Sequence, residues 1–591
     1  MTTDVTLTDE PAATAPVPPL AYVPRLPVPA DTPLAACDAA VADVRASADR
    51  WASEDPAHLR DLLDEVLRAT APLIGRWTEL GAIHEGVDPA GPDAAEEATA
   101  GPYVMLRNTR FHRDALAQLA RDGRTHVPGP VRTLPDGQVA ARVMPASLVD
   151  RATYIGLSAE VRMARGLGAG ALPGTMATAY RTPPPGRVAL VLGGGNVSSI
   201  APSDAIHKLF VERQAVVLKL HPVMAHLADV LGASLAPLIR EGVLRIVTGG
   251  VEQGAYLAGH PGVDTLHITG SDRTYDTIVF GAGAEGEARR RRDDPVLAKP
   301  FTAELGNLTP ILVVPGRWSD RELDHHAEHI ATMLTNNAGF NCTTSRVIVT
   351  AAGWPQREAF LDRLRRRLGE LPTRLAYYPG AASRFALFRE AHPEGELYGT
   401  AADEHLPWML IAGLSPDATD DPCYRIEAFC SITSETPIDA PDAATFLERA
   451  VDFVNERVWG TLNATVLVDP RTARDPSVAP AMDRAVDRLG YGTVAVNYWS
   501  AAGYALGTTP WGAAPGNPRT AIGSGTGFVH NPLMFERVEK AVIRAPFVPW
   551  PKPPWFSNHT RALPLMQELA RFEADGRPTR LLPVAWWALR G

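Results

Sequence analysis

The chain has 591 residues with a formal net charge of −10, and 45% of the residues are hydrophobic while 21% are charged. This length is more than one simple core accommodates, so we expect two or three domains. The acidic balance argues against nucleic acid as a main partner, because phosphate binding needs a basic face.

The four cysteines (Cys37, Cys342, Cys423 and Cys430) have no short paired spacing. That pattern is neither a disulfide framework nor a zinc module, and it suits a reducing compartment. Residues 1–30 are rich in Pro, Ala and Thr and predict a flexible tail. They lack the basic start and apolar core of a secretory signal, and no apolar run approaches bilayer length. We therefore predict a cytoplasmic protein without a transmembrane segment.

The pattern of apolar residues changes along the chain. From about residue 32 to 172 helical spacing dominates, as in Leu59, Leu62, Leu63, Val66 and Leu67. From residue 188 onward, short β-branched runs alternate with helical segments, which predicts a mostly parallel, doubly wound sheet. The first set of runs covers 188–192, 215–220, 244–248 and 264–268, and the second lies near 311, 347, 408–411, 466–468 and 494–496. The predicted fold class is α/β with two such units, which join just before Glu304.

Ligands of open parallel sheets bind at the carboxyl ends of the strands, here the turns after residues 192, 220 and 268. The first of these turns, Gly193-Gly194-Gly195-Asn196, does not complete the Gly-x-Gly-x-x-Gly fingerprint, because Ser198 occupies the last glycine position. By itself it is a weak dinucleotide signal.

A cysteine on a polar turn is the most informative residue of the chain. Cys342 follows a helical run and precedes the apolar strand Val347-Ile348-Val349, and Glu304 ends another turn 38 positions earlier. A nucleophilic thiol needs access and polar donors, which such a turn supplies. The alternative is a small buried hydrophobic residue, the usual fate of a free cysteine.

Several segments in fixed order resemble the motifs of the aldehyde dehydrogenase superfamily. They are Gly195-Asn196-Val197-Ser198, Val216-Val217-Leu218-Lys219, His267-Ile268-Thr269-Gly270-Ser271, Ala303-Glu304-Leu305-Gly306-Asn307, Asn341-Cys342, Glu427-Ala428-Phe429, Asn497 and Pro510-Trp511-Gly512. They cover roughly residues 185 to 515. One such motif is a weak signal, but the ordered set is specific.

The resemblance implies an aldehyde dehydrogenase-like fold and a role for each matched residue. Cys342 would be the nucleophile, Asn196 the oxyanion donor and Glu304 the general base. NAD or NADP would bind at Lys219, Gly270, Ser271, Glu427 and Phe429, and no metal is expected. His221-Pro222 follows Lys219 where many family members carry a glutamate for the adenosine ribose, which leaves NAD and NADP both open.

The resemblance also suggests how the chain is divided. We predict a tail at 1–30, a helical part with a Rossmann-like cofactor domain at 31–303 and a catalytic domain at 304–497. Residues 498–591 would be a C-terminal extension at an interface or over the active site, because the aromatic residues of 546–556 are unlikely to face water. His325, His326 and His329 resemble a metal cluster, but their segment is predicted to be a surface helix. A homo-oligomer is expected from the family.

Three functions remain open at this stage. The first is NAD(P)-dependent oxidation of an aldehyde, with a leaning towards a hydrophobic one, to a carboxylic acid. The second is an acylating reductase that exchanges its thioester with a thiol such as a CoA derivative, for which the water-activating Glu304 would be unhelpful. The third is a non-catalytic scaffold or binding partner.

Overall fold

The computed structural model describes residues 25–400 and 402–591, so most of the predicted N-terminal tail lies outside the described residues. The strands are β1 (Val131–Thr133), β2 (Val139–Met144), β3 (Ser158–Met163), β4 (Val188–Leu192), β5 (Ala215–Lys219), β6 (Leu244–Val247), β7 (Thr265–Thr269), β8 (Phe301–Glu304), β9 (Pro310–Val313), β10 (Val347–Ala351), β11 (Arg374–Leu375), β12 (Glu396–Tyr398), β13 (His405–Leu406), β14 (Trp408–Ile411), β15 (Ile432–Ile438), β16 (Asn463–Leu467), β17 (Thr493–Val496), β18 (Gly525–Thr526) and β19 (Val538–Arg544).

Helices pack on both main sheets and at the two ends of the chain. They are α1 (Leu34–Ala52), α2 (Pro56–Thr70), α3 (Ile74–His84), α4 (Ala95–Ala98), α5 (Val104–Asp122), α6 (Leu148–Thr153), α7 (Thr178–Arg181), α8 (Ile200–Phe210), α9 (Ala228–Ser234), α10 (Ala236–Arg240), α11 (Val251–Gly259), α12 (Asp272–Phe280), α13 (Gly283–Arg292), α14 (Asp320–Thr335), α15 (Arg357–Glu370), α16 (Ala381–Ala391), α17 (Pro422–Arg425), α18 (Ala443–Arg457), α19 (Pro470–Arg474), α20 (Ala479–Arg488), α21 (Ala502–Ala505), α22 (Ala562–Asp575) and α23 (Leu581–Ala588).

A six-stranded sheet in the order β18-β8-β7-β4-β5-β6 carries the first part of the candidate site. Strands β4 to β8 are parallel, and β18 pairs antiparallel with β8. The register aligns Leu192 with Lys219 and Thr269 with Glu304. Because these residues end their strands, the residues that follow β4, β5, β7 and β8 meet at one edge of the sheet.

An eleven-stranded sheet carries the rest, in the order β1-β2-β3-β19-β17-β16-β9-β10-β15-β14-β12. The central run from β19 to β14 is parallel, and both flanks are antiparallel. Its central strands β9, β10 and β17 are buried along their whole length, as expected for parallel strands covered on both faces. The predicted α/β fold with two doubly wound units is confirmed.

The N-terminal part differs in one respect from the sequence prediction. Residues 34–122 are helical as expected, and Leu59, Leu62, Leu63, Val66 and Leu67 form the buried face of α2. Residues 131–163, however, contain the antiparallel strands β1, β2 and β3. Their pairing partner β19 follows hundreds of residues later, so local spacing could not reveal this sheet flank. The predicted domain boundaries stay a prediction.

The C-terminal helices are part of the core and pack against N-terminal helices. Helix α22 buries Leu565, Met566 and Leu569 in one cluster with Val104 of α5. Beneath this contact, the buried Arg107 guanidinium bonds Glu573 at 2.6 Å and Asp150 at 2.8 Å. Removing one partner of a buried ion pair leaves an uncompensated charge and typically costs about 3–5 kcal/mol, so this contact fixes α22.

Within the part of the chain that the structure describes, no helix combines the length and the apolar composition needed to cross a bilayer.

Candidate functional site

The turn that holds the predicted nucleophile has an uncommon backbone. Between α14 and β10, Asn337, Ala338 and Gly339 have φ values of 51°, 52° and 81°. Only glycine fits at position 339, because a Cβ there would lie 2.5 Å from the Cys430 carbonyl oxygen. A non-glycine residue in this left-handed backbone conformation costs about 1–2 kcal/mol of conformational free energy, so other contacts must hold the turn.

The side chain and backbone of Asn337 supply those contacts. Its Nδ2 donates to the Asn196 carbonyl oxygen at 2.7 Å, and the Tyr377 hydroxyl donates to its Oδ1 at 2.7 Å. Its backbone N–H donates to Glu96 at 2.7 Å, and Arg374 forms an ion pair with the same carboxylate. The turn is thus tied to the loop after β4 and to an N-terminal helix before Cys342 is reached.

The turn brings Cys342 next to Glu304, the last residue of β8. The Cys342 carbonyl accepts from Thr309 Oγ1 at 2.9 Å and from Asn463 Nδ2 at 3.1 Å, which anchors the main chain at the thiol. Burial raises the pKa of the thiol well above its usual value, and the carboxyls of Glu304 and Glu427 raise it further. A neutral thiol therefore faces a carboxyl group that can accept its proton when that carboxyl is ionised.

Glu304 itself titrates near neutral pH, so its protonated and ionised forms are both present there. Burial raises its pKa to about 8, the negative Asp204 adds to the rise, and the Cys342 thiol and Trp511 indole partly oppose it. Burial also disfavours the Asp204 carboxylate. The contacts of this carboxylate with His267, whose Nε2 lies 3.4 Å from Oδ2, and with the Thr269 hydroxyl outweigh the effect of burial. The pKa of Asp204 is therefore lowered. Two neighbouring carboxyls with opposite shifts indicate a site where one acts as acid or base.

Asn196, in the loop after β4, contacts the same turn. Its Nδ2 donates to the Phe340 carbonyl oxygen at 2.9 Å, two residues before Cys342. An amide nitrogen carries a second N–H, so the carboxamide can hold the turn and still offer one donor. The oxyanion role remains a prediction.

The residues predicted to bind a dinucleotide lie at the carboxyl ends of β5 and β7. Lys219 is 7% exposed, and burial lowers its pKa to about 8. The negative charge of Asp31 partly opposes this shift. Gly270 and Ser271 follow β7, and the Ser271 hydroxyl caps α12 by accepting from the Thr274 N–H at 3.1 Å.

Glu427 and Phe429 reach the site from the second sheet. Glu427 Oε1 accepts from the Asn307 N–H at 3.1 Å, and burial raises its pKa to about 7. A Cβ at Gly306 would lie 2.1 Å from Glu427 Oε2, which explains the glycine of this motif. Phe429 has a φ of 42°, and its ring packs edge-on against Tyr378 at 4.9 Å.

Lys219, Glu427 and Ser271 have the chemistry that a dinucleotide needs, namely a buried cation and carboxylate for ribose hydroxyls and a helix start for phosphate. His221 stands at the end of the same edge. Its ring packs on Gly195, where a Cβ would lie 2.3 Å away, and burial lowers its pKa to about 4. The ring is therefore neutral and does not discriminate NAD from NADP by charge.

A cavity of about 560 Å³ opens beside the thiol. Cys342, Glu304, Tyr504 and Trp511 line it at what we call the inner end. Residues of the segment 545–589, including α22 and α23, line it on the other side, and we call them the outer wall.

The histidines of α14 correct a sequence prediction. His326 and His329 are 0% and 2% exposed, so the interpretation of this segment as a surface helix is wrong for that face. The His329 ring lies 5.0 Å from that of Trp555, and His326 lies 4.1 Å from Phe547. The aromatic C-terminal segment thus covers α14, because both surfaces are apolar and each removes the other from water.

Two groups of described residues could hold a metal ion. They are His392, Asp421 and Cys423, and Glu54, His58 and Glu241. Neither group lines the cavity of Cys342. The predicted absence of a metal stays a prediction.

Sequence reasoning missed Glu96, Tyr377 and Arg374, which hold the turn. Glu96 is 241 positions from its partner Asn337, and no motif marks it. Trp511 belongs to the late motif that resembles the family, and its indole lies beside Glu304.

Comparison with known proteins agrees with this architecture. The sequence model of the aldehyde dehydrogenase family matches residues 160–375. A betaine aldehyde dehydrogenase of Amaranthus hypochondriacus is 28% identical over 268 residues, which are 41% of this chain and 48% of that protein. An aminoaldehyde dehydrogenase of Malus domestica is 37% identical over 150 residues, 24% of this chain and 25% of that protein. The chain thus covers less than half of the length of these curated relatives.

Solved structures share the fold over a longer range. An NAD-dependent aldehyde dehydrogenase from Sinorhizobium meliloti has a TM-score of 0.58 at 18% identity and covers 88% of this chain and 89% of its own. A mutant of aldehyde dehydrogenase C from Pseudomonas syringae, solved with NAD+ and octanal, has a TM-score of 0.59 at 17% identity, with coverages of 90% and 95%. The family model thus identifies an aldehyde dehydrogenase family match at residues 160–375, and the solved structures show that the chain has the fold of the aldehyde dehydrogenases.

Proposed function

We propose that the protein oxidises an aldehyde to a carboxylic acid with NAD or NADP as the oxidant. The observation that carries the proposal is the meeting of the Cys342 thiol and the Glu304 carboxyl in the wall of one cavity. They come from two sheets and lie 38 positions apart in sequence, so their proximity is a property of the fold.

The reaction begins at the Cys342 sulfur. Once the thiol loses its proton, for which Glu304 is the nearest carboxyl acceptor, the thiolate adds to the aldehyde carbon and forms a thiohemiacetal. The developing oxyanion needs preorganised donors, and the free N–H of the Asn196 carboxamide and the Cys342 main-chain N–H are the candidates. NAD or NADP, when bound, would supply the acceptor for the hydride that leaves this adduct, and Cys342 would keep the acyl group as a thioester.

Glu304 then acts on water. Its pKa of about 8 lies close to neutral pH, where a general base works best, and its ionised form takes a proton from water that attacks the thioester. The carboxylic acid leaves and the thiol is restored. The need for this base favours hydrolysis over transfer of the acyl group to CoA.

The cofactor would be held by Lys219 and Glu427 at its ribose hydroxyls, by Gly270 and Ser271 near its phosphates, and by Phe429 beside the nicotinamide ribose. The choice between NAD and NADP stays open because His221-Pro222 supplies neither a carboxylate for the 2′-hydroxyl nor a cation for a 2′-phosphate. The homo-oligomeric state and the cytoplasmic location also stay predictions.

An assay with purified protein tests the proposal. We expect reduced cofactor to form from an aldehyde with NAD+ or NADP+ in the absence of CoA. Cys342→Ala should lower this rate by at least about a thousandfold, because the covalent route is removed, while cofactor binding measured by calorimetry is retained. Cys430→Ala is the matched control, since Cys430 is buried away from the cavity lining. Turnover that requires CoA would support the acylating route instead, and no turnover with either would support the scaffold alternative.

A further inference from the structure

We propose that the substrate carries a long, uncharged hydrocarbon tail and that the chain's own C-terminal segment forms the binding site for that tail. This inference rests on the proposed oxidation of an aldehyde and identifies its substrate class. The carbonyl end would meet Cys342 at the inner end, and the tail would run along the outer wall.

The outer wall is mostly apolar where it faces the cavity: it combines aliphatic and proline side chains with the aromatic ones of Trp550, Trp555 and Phe556, and its polar members are Lys552, Ser557 and His559. Helix α22 contributes Leu565, Met566 and Leu569, and α23 contributes Leu581 and Val584. Such side chains offer dispersion contacts and no hydrogen bonds, so they favour a hydrocarbon over a polar group. The wall is also firmly placed, because the buried ion pairs of Arg107 and the 2.6 Å hydrogen bond from Ser557 to Glu328 fix its segments to the rest of the protein.

The charges around the cavity argue against an anionic tail. Among the described lining residues, the charged ones are Asp93, Glu96, Glu304 and Lys552, and there is no arginine. Recognition of a carboxylate or phosphate usually employs an arginine fork, whereas the outer wall offers one cation, Lys552, whose Nζ already donates to the Asn558 carbonyl oxygen at 3.2 Å. Glu96 is already engaged by Arg374 and the Asn337 N–H, so it is a poor partner for a cationic tail.

The size of the cavity agrees with a long tail. A volume of about 560 Å³ falls within the roughly 300–1,000 Å³ that small-molecule sites occupy. An aldehyde of two or three carbons would reach Cys342 but leave the outer wall uncovered. Each methylene that the wall takes from water should therefore add binding free energy until the wall is covered.

A series of straight-chain aldehydes tests this inference. From propanal to decanal we expect kcat/KM to rise by up to roughly fourfold per methylene, the ratio that corresponds to about 0.8 kcal/mol for each buried CH₂. Betaine aldehyde and succinic semialdehyde serve as the cationic and anionic probes, and both should be at least about tenfold poorer than decanal.

The outcomes separate the two proposals. If propanal or a charged probe is oxidised and kcat/KM does not rise with chain length, the inference about the tail is wrong while the oxidation stands. If none of these aldehydes is oxidised with NAD+ or NADP+, the proposed function itself fails.

Two tryptophan substitutions on α23 locate the site. Ala585 lines the cavity and is exposed, so Ala585→Trp narrows the outer wall without disturbing a packed core. We expect the decanal-to-propanal ratio of kcat/KM to fall at least about tenfold, since added bulk excludes several methylenes. Leu582→Trp is the matched control, because Leu582 is 75% exposed and does not line the cavity, and its ratio should stay unchanged. Equal ratios in both variants would place the tail elsewhere.

Discussion

At its inner end the cavity presents a thiol, a carboxyl with a raised pKa and two aromatic side chains, and each of the first two appears in a motif that sequence alone reveals. The outer wall presents mostly apolar side chains, aliphatic and aromatic, from a segment without any motif. The residue types at the inner end are specific to a class of reaction, whereas the residue types of the outer wall occur in the core of any protein. The class of reaction can therefore be predicted from the sequence, whereas the shape of the substrate can be inferred only from the folded structure.

A substitution of Glu304 is expected to have the largest effect and tests the chemical role of the inner end. Glu304→Gln should slow the release of product by about 10²–10⁴-fold, because the amide cannot activate water. A covalent acyl adduct on Cys342 should then accumulate in the presence of aldehyde and oxidised cofactor, as measured by intact-mass spectrometry. The exposed Glu252→Gln carries the same chemical change and serves as the control. Wild-type turnover in Glu304→Gln, or a slow reaction without any adduct, would contradict the base role.

Asn196 distinguishes chemistry from scaffolding at the inner end. Asn196→Ala should lower kcat by about 10²–10³-fold if its carboxamide stabilises the oxyanion. The same side chain also bonds the Phe340 carbonyl, so the rate of Cys342 alkylation by iodoacetamide reports whether the turn has moved. Slow oxidation with a normal alkylation rate supports the oxyanion role. Slow alkylation as well would show that Asn196 acts only by positioning the turn.

The stability of the contact between α14 and the C-terminal segment should fall in acid, because the histidines of this contact are shielded from water. Burial lowers the pKa of His329 well below its usual value, and that of His325 to about 4. Below about pH 6.5 the unfolded chain binds protons that the folded chain does not, so stability falls as pH falls, by at most about 1.4 kcal/mol per pH unit for one group.

His329→Phe removes one such group while keeping a ring against Trp555. We expect its melting temperature to exceed that of the wild type by a margin that grows between about pH 7.5 and about pH 5. His126→Phe provides a control, because 41% of the His126 side chain is exposed. A constant margin across this range would mean that His329 does not contribute to acid sensitivity.

Sequence reasoning predicted the parallel strands well, since buried runs such as Val188–Leu192 and Val347–Ala351 are continuous and apolar. It also identified Cys342 and Glu304, which the structure brings together. It could not find Glu96 or Tyr377, because a hydrogen bond to a distant turn leaves no local pattern. The histidines of α14 misled it for the same reason, since polar residues predict a surface until a partner segment covers them.

Strand β19 has a consequence for how the protein is made. It lies between β3 and β17 in the large sheet. The edge of β3 that faces away from β2 can therefore pair only after residues 538–544 have been synthesised. At about 5–20 residues per second, the ribosome needs roughly 20 to 75 s to travel from Met163 to Val538. During that interval one flank of β3 and the apolar faces of β2 and β3 lack their partner. Nascent chains stalled before residue 538 are therefore expected to depend on chaperones more than the released protein does.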